Sequence, residues 1–113
     1  RLLLNVTWGI HMNSEVKQLA AMRQLLFSLE RELGLDDMNQ HEKDIFYAFH
    51  TLAAQQSGEK FISSESVRTY ETVRKMKHAT YHRAMKRLLD NGVIEHAPQR
   101  KSGLYHLSAN AEH

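Results

Sequence analysis

The stretch from residue 77 to 108 constrains the fold of this chain more than any other. An amphipathic segment predicts a helix over 77–91, and Asn91-Gly92 ends it because glycine readily adopts the positive φ that follows a helix. Two short apolar runs, 93–96 and 104–108, come next and are separated by a polar, basic tip at 97–103. Their alternation predicts a β-hairpin that directly follows the helix.

Composition limits the class of protein. The chain has 113 residues, of which 42% are hydrophobic and 25% charged, with one proline, so we expect one globular domain. No cysteine is present, which excludes disulfides, thiolate metal ligands and cysteine nucleophiles. No apolar run approaches the roughly 18 residues of a membrane helix, and residues 1–10 are too short for a signal peptide. We expect a soluble, cytoplasmic protein.

Residues 1–12 have two interpretations. The chain begins with Arg1, and His11-Met12 resembles the remnant of a cloning site, which favours a foreign tag or leader. Alternatively the chain is a fragment of a longer protein, and these residues form a native strand or packing arm. Neither interpretation affects the rest of the sequence.

Charge is distributed unevenly along the chain. Residues 12–59 carry four basic and eight acidic side chains, a net charge of −4, whereas residues 68–101 carry nine basic and three acidic ones, a net charge of +6. A strongly basic half is typical of a surface that binds a polyanion. The alternative is a basic face that is merely solvated.

The N-terminal half predicts two helices. Asn13-Ser14 is a candidate cap for a helix over 13–35, whose apolar residues recur at alternating spacings of three and four. Such a seam is more often ordinary core than a coiled coil, but Val16, Leu25 and Phe27 widen the apolar surface, so we expect part of it to meet a second subunit. The residues predicted for dimerisation are Leu19, Met22, Leu26, Leu29 and Leu33. Asn39 and Glu42 form a capping box for a second helix, which Ser57-Gly58 ends.

A third helix is expected after the β-prone pair Phe61-Ile62. Ser63-Ser64 offers its cap, and Val67, Tyr70 and Val73 are expected to point inward.

The helix predicted over 77–91 has a core face and an outer face. At 100° per residue, its core face comprises Tyr81, Ala84, Met85, Leu88 and Leu89. Small residues at Ala79 and Thr80 allow close approach to a major-groove edge, and the Arg83 guanidinium is suited to guanine or phosphate. Lys86 and Arg87 are expected to contact phosphates. Candidate DNA contacts on or beside this helix are Lys77, His78, Ala79, Thr80, His82, Arg83, Lys86 and Arg87.

The hairpin tip supplies two further candidate contacts. Arg100 and Lys101 lie in the seven-residue segment 97–103 and are expected to reach the minor groove or its flanking phosphates.

Three runs of the sequence resemble the winged helix-turn-helix of MarR-type bacterial regulators. They are M-N-x-x-E-x-x-I-F-x-x-F-x-x-L at 38–52, H-A-T-Y-H-R-A-M-K-R-L-L-D-N-G-V-I at 78–94 and G-L-Y-H-L at 103–107. The resemblance covers residues 16–108. It implies recognition-helix contacts from His78, Ala79, Thr80, His82 and Arg83, wing contacts from Arg100 and Lys101, and dimerisation through the N-terminal helix.

Two departures from that family pattern stand out. The segment SSESVRTYETVRK lacks the usual leucine spacing and has Lys75 where a turn glycine is common, so the turn is expected to be longer or differently shaped. The tail 109–113 is too short for the C-terminal helices of that family, so a small-molecule effector site is not expected.

Metal binding and catalysis are the weaker alternatives. His78 and His82 have the i, i+4 spacing of two metal ligands, but no third ligand is fixed nearby in sequence, so hydrogen bonding to DNA is favoured. The paired acids Asp36-Asp37 lack a neighbouring nucleophile or glycine-rich loop. We therefore expect no enzyme, no metal and no cofactor.

The sequence thus predicts a mainly α protein with a small β-hairpin wing, an α+β fold. The expected organisation is an N-terminal dimerisation helix at 13–35 and a winged helix-turn-helix domain at 36–108. The expected function is that of a dimeric, double-stranded DNA-binding transcriptional regulator, most simply a bacterial repressor. The alternative is a winged helix for protein contact or a fragment of a larger nucleic-acid-associated assembly. A third interpretation is RNA or replication-origin binding through the same face, which has the same sequence pattern.

Overall fold

The structure is a computed structural model that describes residues 6–56, 61–98 and 103–108, with the backbone alone for residues 6–12. The chain forms two compact units, of which the first ends at Asp37 and the second begins at Met38. Among the described helices, none is both long enough and apolar enough to cross a membrane.

The first unit consists of α1 (Val6–Glu32) and a 3-10 turn (Leu35–Asp37). Between them lies Gly34, whose φ of 78° is the left-handed conformation that ends helices. The predicted helix start at Asn13-Ser14 is wrong, because α1 begins at Val6 and continues through both residues. Cap-type side chains start a helix only where the preceding backbone is not helical, and residues 6–12 contain no proline to break it.

The apolar side chains of α1 are exposed. Eight of them have between 45% and 69% of their surface accessible: Val16, Leu19, Met22, Leu25, Leu26, Phe27, Leu29 and Leu33. All five residues predicted for dimerisation are in this set, which we call the α1 apolar face.

The second unit begins with α2 (Gln40–Gln55), and the predicted capping box is confirmed. The Glu42 amide donates to Asn39 Oδ1 at 2.8 Å, and the Asn39 amide donates to Glu42 Oε1 at 3.2 Å. Ile45 and Phe49 are fully buried, as their helical spacing requires. The predicted break at Ser57-Gly58 lies outside the described residues.

The third helix is shorter than predicted. After the Ser63 cap, α3 (Ser64–Arg68) has only five residues, and turns carry the chain through residues 69–76. Val67 and Val73 are buried, but Tyr70 is only partly buried, so its predicted inward position is wrong in part. Val67 and Val73 reach the core from separate elements rather than from one helix.

The fourth helix matches its prediction closely. It is α4 (His78–Asp90), with Lys77 before it and Asn91-Gly92 after it. Four of the five predicted core residues are buried, and Leu89 is partly exposed. The φ of 74° at Gly92 turns the chain back toward the sheet.

The predicted hairpin is confirmed and gains a third strand. The strands β1 (Ile62–Ser63), β2 (Ile94–His96) and β3 (Leu104–Leu107) form an antiparallel sheet in the order β1-β3-β2. Ile94 pairs with Leu107 and Ile62 with Tyr105, which directs apolar side chains toward α2 and α4. The second unit is therefore α+β, with helices covering a small sheet.

Candidate nucleic-acid interface

The predicted contact residues of α4 lie together on one accessible surface, which we call the outer face of α4. Lys77 and six helical residues are exposed and Thr80 is partly exposed; the six are His78, Ala79, His82, Arg83, Lys86 and Arg87. The opposite side of α4 is held in the core by Tyr81, Ala84, Met85 and Leu88. Arg100 and Lys101, predicted for the wing, lie outside the described residues.

Two histidines meet on the outer face of α4. The rings of His78 and His82 have centroids 4.2 Å apart and are arranged edge to face. The centroid of the His82 ring also lies 5.3 Å from that of the Tyr81 ring. The described residues contain no group of three or more histidines, cysteines or acids placed to hold a metal ion. The pair places imidazole hydrogen-bonding groups on an exposed surface.

The cations of α4 differ in their partners. Lys86 contacts Asp90 at 2.9 Å, where both side chains are well exposed, so the pair is weak and easily exchanged. Arg87 instead meets the buried Glu42 of α2. Arg83 has no ion-pair partner in the part of the chain that the structure describes, so its guanidinium remains available to a ligand.

A cleft of about 370 Å³ separates the first turn of α2 from α4, and we call it the α2–α4 cleft. Its lining comprises Asn39, His41, Glu42, Thr80, Arg83, Ala84 and Arg87. Glu42 Oε2 lies 2.5 Å from Arg87 Nε but has no aligned hydrogen-bond donor among the described residues, so the contact is one of charge. Sequence reasoning missed Asn39, His41 and Glu42 as site residues, because nothing in their spacing reports the approach of α2 to α4.

Arg68 organises the connection between α3 and α4. Its guanidinium donates to the carbonyl oxygens of Val73 at 3.1 Å and of Met76 at 2.6 Å. It also lies 4.9 Å from the centre of the Tyr81 ring. Sequence reasoning missed this residue, because no periodic pattern reports a guanidinium that reaches carbonyl oxygens five and eight residues further along the chain.

Tyr81 joins α4 to the start of α3. Its hydroxyl lies 2.7 Å from Ser64 Oγ. Burial raises the pKa of the Tyr81 hydroxyl above its usual 10.0; the Ser64 hydrogen bond opposes this rise, Tyr105 adds to it and the Arg68 charge opposes it. The hydroxyl is therefore a neutral link that fixes the angle of α4.

The hairpin carries polar and aromatic groups on its strands. His106 Nε2 lies 3.4 Å from Glu95 Oε1, and the His96 and Tyr105 rings have centroids 5.0 Å apart. Ser108 Oγ donates to the Gly92 carbonyl oxygen, which ties the end of the hairpin to the end of α4. The base of the hairpin is thus fixed relative to α4.

Comparison with known proteins gives no relative: no family model, no curated protein and no solved structure matches the chain.

Proposed function

We propose that this protein binds double-stranded DNA by inserting α4 into the major groove, with the hairpin tip against the backbone or in the minor groove. The observation that carries this proposal is the outer face of α4, which combines cations, imidazoles and small residues on a helix whose other face is locked in the core. The order of helices and strands in the second unit is the one typical of a winged helix-turn-helix.

The chemistry of this face suits both grooves and phosphates. Ala79 and Thr80 have small side chains, which allow the start of α4 to approach the base edges closely. The Arg83 guanidinium can donate two hydrogen bonds to guanine. The remaining cations favour phosphates, which fix register without reading sequence. The excess positive charge over residues 68–101 favours any polyanion and steers its approach.

The α1 apolar face supports a dimer of this chain. Eight half-exposed side chains at roughly 100 Å² each amount to about 800 Å², which is what one partner contributes to a standard protein interface. A two-fold dimer presents two copies of α4 to two half-sites of a palindrome. The simplest consequence is a cytoplasmic bacterial repressor that covers a promoter.

Fluorescence anisotropy with a labelled duplex pool of random sequence tests this function. Between about 50 and 200 mM salt, a protein that contacts several phosphates loses orders of magnitude in affinity. The duplexes that the protein retains are then selected from the pool and sequenced, and their sequences are expected to contain a palindrome. Absence of binding at the lower salt concentration overturns the proposal.

A second candidate is a protein-interaction module. The α1 apolar face favours it, since exposed apolar surface of this extent commonly marks a protein contact. The affinity of an apolar protein interface depends little on salt. Binding to a protein partner that persists at high salt, together with no binding to duplex DNA, therefore identifies this alternative.

A further inference from the structure

The contact between Glu42 and Arg87 joins the first turn of α2 to the outer face of α4. The Glu42 side chain is only 1% exposed, whereas that of Arg87 is 56% exposed. The Asn39 amide holds the other carboxylate oxygen of Glu42 at 3.2 Å. Glu42 is therefore fixed on both sides, and a carboxylate withdrawn from water in this way is expensive to keep.

The contact with Glu42 leaves the two terminal nitrogens of the Arg87 guanidinium available to a ligand. The ion pair uses Nε, and a guanidinium has five N–H donors, four of them on its two terminal nitrogens. Those terminal nitrogens bind two oxygens of a phosphate side by side when the guanidinium is oriented toward it. The charge of Glu42 thus keeps this donor pair beside the α2–α4 cleft.

The α2–α4 cleft brings other phosphate ligands beside Arg87. Arg83 and the Thr80 side chain line the same cleft, whose volume of about 370 Å³ admits a phosphodiester group. The amides of the α2 N-terminus are not the basis of this site, because Asn39 Oδ1 already accepts the Glu42 amide. Side chains of α4 make the site, and the charge of Glu42 holds one of them, Arg87, from α2.

We propose that the α2–α4 cleft binds one backbone phosphate of duplex DNA, with Arg87 as the ligand-binding residue and Glu42 as the positioning residue whose charge holds it there. This inference rests on the proposed function. It assigns to DNA binding an acidic residue of α2, and it makes the start of α2 part of the interface.

The direction in which one substitution changes DNA affinity distinguishes this role from a general effect of charge. Removing a negative charge beside a DNA-binding face strengthens binding if charge alone matters. Removing the charge that holds Arg87 at the cleft weakens binding if Glu42 is a positioning residue. Glu42→Gln makes this comparison, because the amide keeps an oxygen for the Asn39 N–H and nearly the same shape.

We expect Glu42→Gln to weaken binding to a random-sequence duplex pool by about three- to tenfold at about 50 mM salt. The slope of log affinity against log salt should become shallower by about 0.9, the contribution of one phosphate. Asp44→Asn is the matched control, because it removes another carboxylate from α2. The Asp44 carboxylate accepts from the Gln40 side chain at 2.9 Å and does not line the cleft. This control should bind as wild type or slightly more tightly.

A double-variant comparison shows whether Glu42 acts through Arg87. Once Arg87→Gln is present, adding Glu42→Gln should cause no further loss of affinity. If Glu42→Gln does not fold by circular dichroism, Arg87→Lys replaces it, since lysine keeps the counter-charge but lacks the fork and should lose as much affinity. Wild-type affinity in a folded Glu42→Gln or Arg87→Lys, or losses that multiply in the double variant, overturn the proposal.

The outcomes also separate this inference from the function beneath it. If wild type binds duplex with steep salt dependence and Arg83→Ala weakens it, while Glu42→Gln binds as tightly as wild type, only the phosphate site is wrong. If wild type binds no duplex, both proposals fall.

Discussion

At the scale of single residues, Arg68 stabilises the turn that positions α4. It satisfies two carbonyl oxygens and covers the Tyr81 ring, and hydrogen bonds from a charged donor are the stronger ones. We expect Arg68→Ala to lower the free energy of unfolding by about 2–4 kcal/mol. Urea denaturation measures it, with Arg74→Ala, an exposed residue of the same turn, as a control that should change little. Equal stability of the two variants would contradict the assigned role of Arg68.

Tyr81 makes stability depend on pH in the alkaline range. Because burial raises the folded pKa above the usual 10.0, the folded state holds this proton more tightly than the unfolded state. Its contribution is therefore complete below pH 10 and is lost as pH rises through the folded pKa. Urea denaturation from pH 8 upward should show a steeper alkaline loss for wild type than for Tyr81→Phe, which has no proton to lose. Parallel profiles would show that the Tyr81 pKa is not raised in the folded state.

At the scale of elements, α4 is expected to carry sequence recognition. If Arg83 reads a base, Arg83→Ala should weaken binding to the selected site by about 1–3 kcal/mol and relax its sequence preference. Lys17→Ala removes the same charge from α1, which supplies no predicted DNA contact, and should preserve the preference. Lys101→Ala at the hairpin tip should weaken binding to all sequences alike. Competition titrations with selected and random duplexes give these values, and an Arg83→Ala variant that retains both affinity and preference would disprove the recognition assignment.

The α1 apolar face is expected to hold two chains together. Leu26→Asp puts a charge in the centre of that face, where burial in a dimer becomes costly, so we expect dissociation to monomers. Gln24→Asp introduces a charge on the opposite side of the helix and should remain dimeric. Sedimentation velocity measures both masses. A monomeric wild type, or a Leu26→Asp dimer as stable as wild type, would be incompatible with this interface.

Elements with strong local signals were predictable, and those set by distant contacts were not. The capping box fixed the start of α2, and the apolar period with Asn91-Gly92 fixed the extent of α4. After α3 the chain turns so that the Arg68 guanidinium reaches the carbonyl oxygens of Val73 and Met76, and no periodic pattern reports such contacts. The start of α1 was misplaced because Asn13-Ser14 has the composition of a cap within a continuous helix.

The candidate site shows the same division. The period of α4 predicted which of its residues are exposed, since burial on a helix repeats locally. The α2–α4 cleft requires that residues about 40 positions apart meet, and no local pattern encodes that distance. The tip residues Arg100 and Lys101 remain predictions.

At the scale of the whole molecule, charge is divided between the two halves of the chain. The basic half includes α4 and the hairpin, while the acidic half includes the α1 apolar face. This division suits a protein that meets a polyanion with one region and another copy of itself with a different region. Function would then depend on both regions, with dimerisation doubling the phosphate contacts of one chain.

Amide chemical-shift mapping with a duplex selected from the random pool shows whether α4 is the DNA-binding element. If α4 enters the major groove, the largest shifts on adding DNA should fall within residues 77–87 and the hairpin tip 97–103, and they should diminish at higher salt. Shifts concentrated on α1, or no shifts at low salt, would contradict DNA binding through α4.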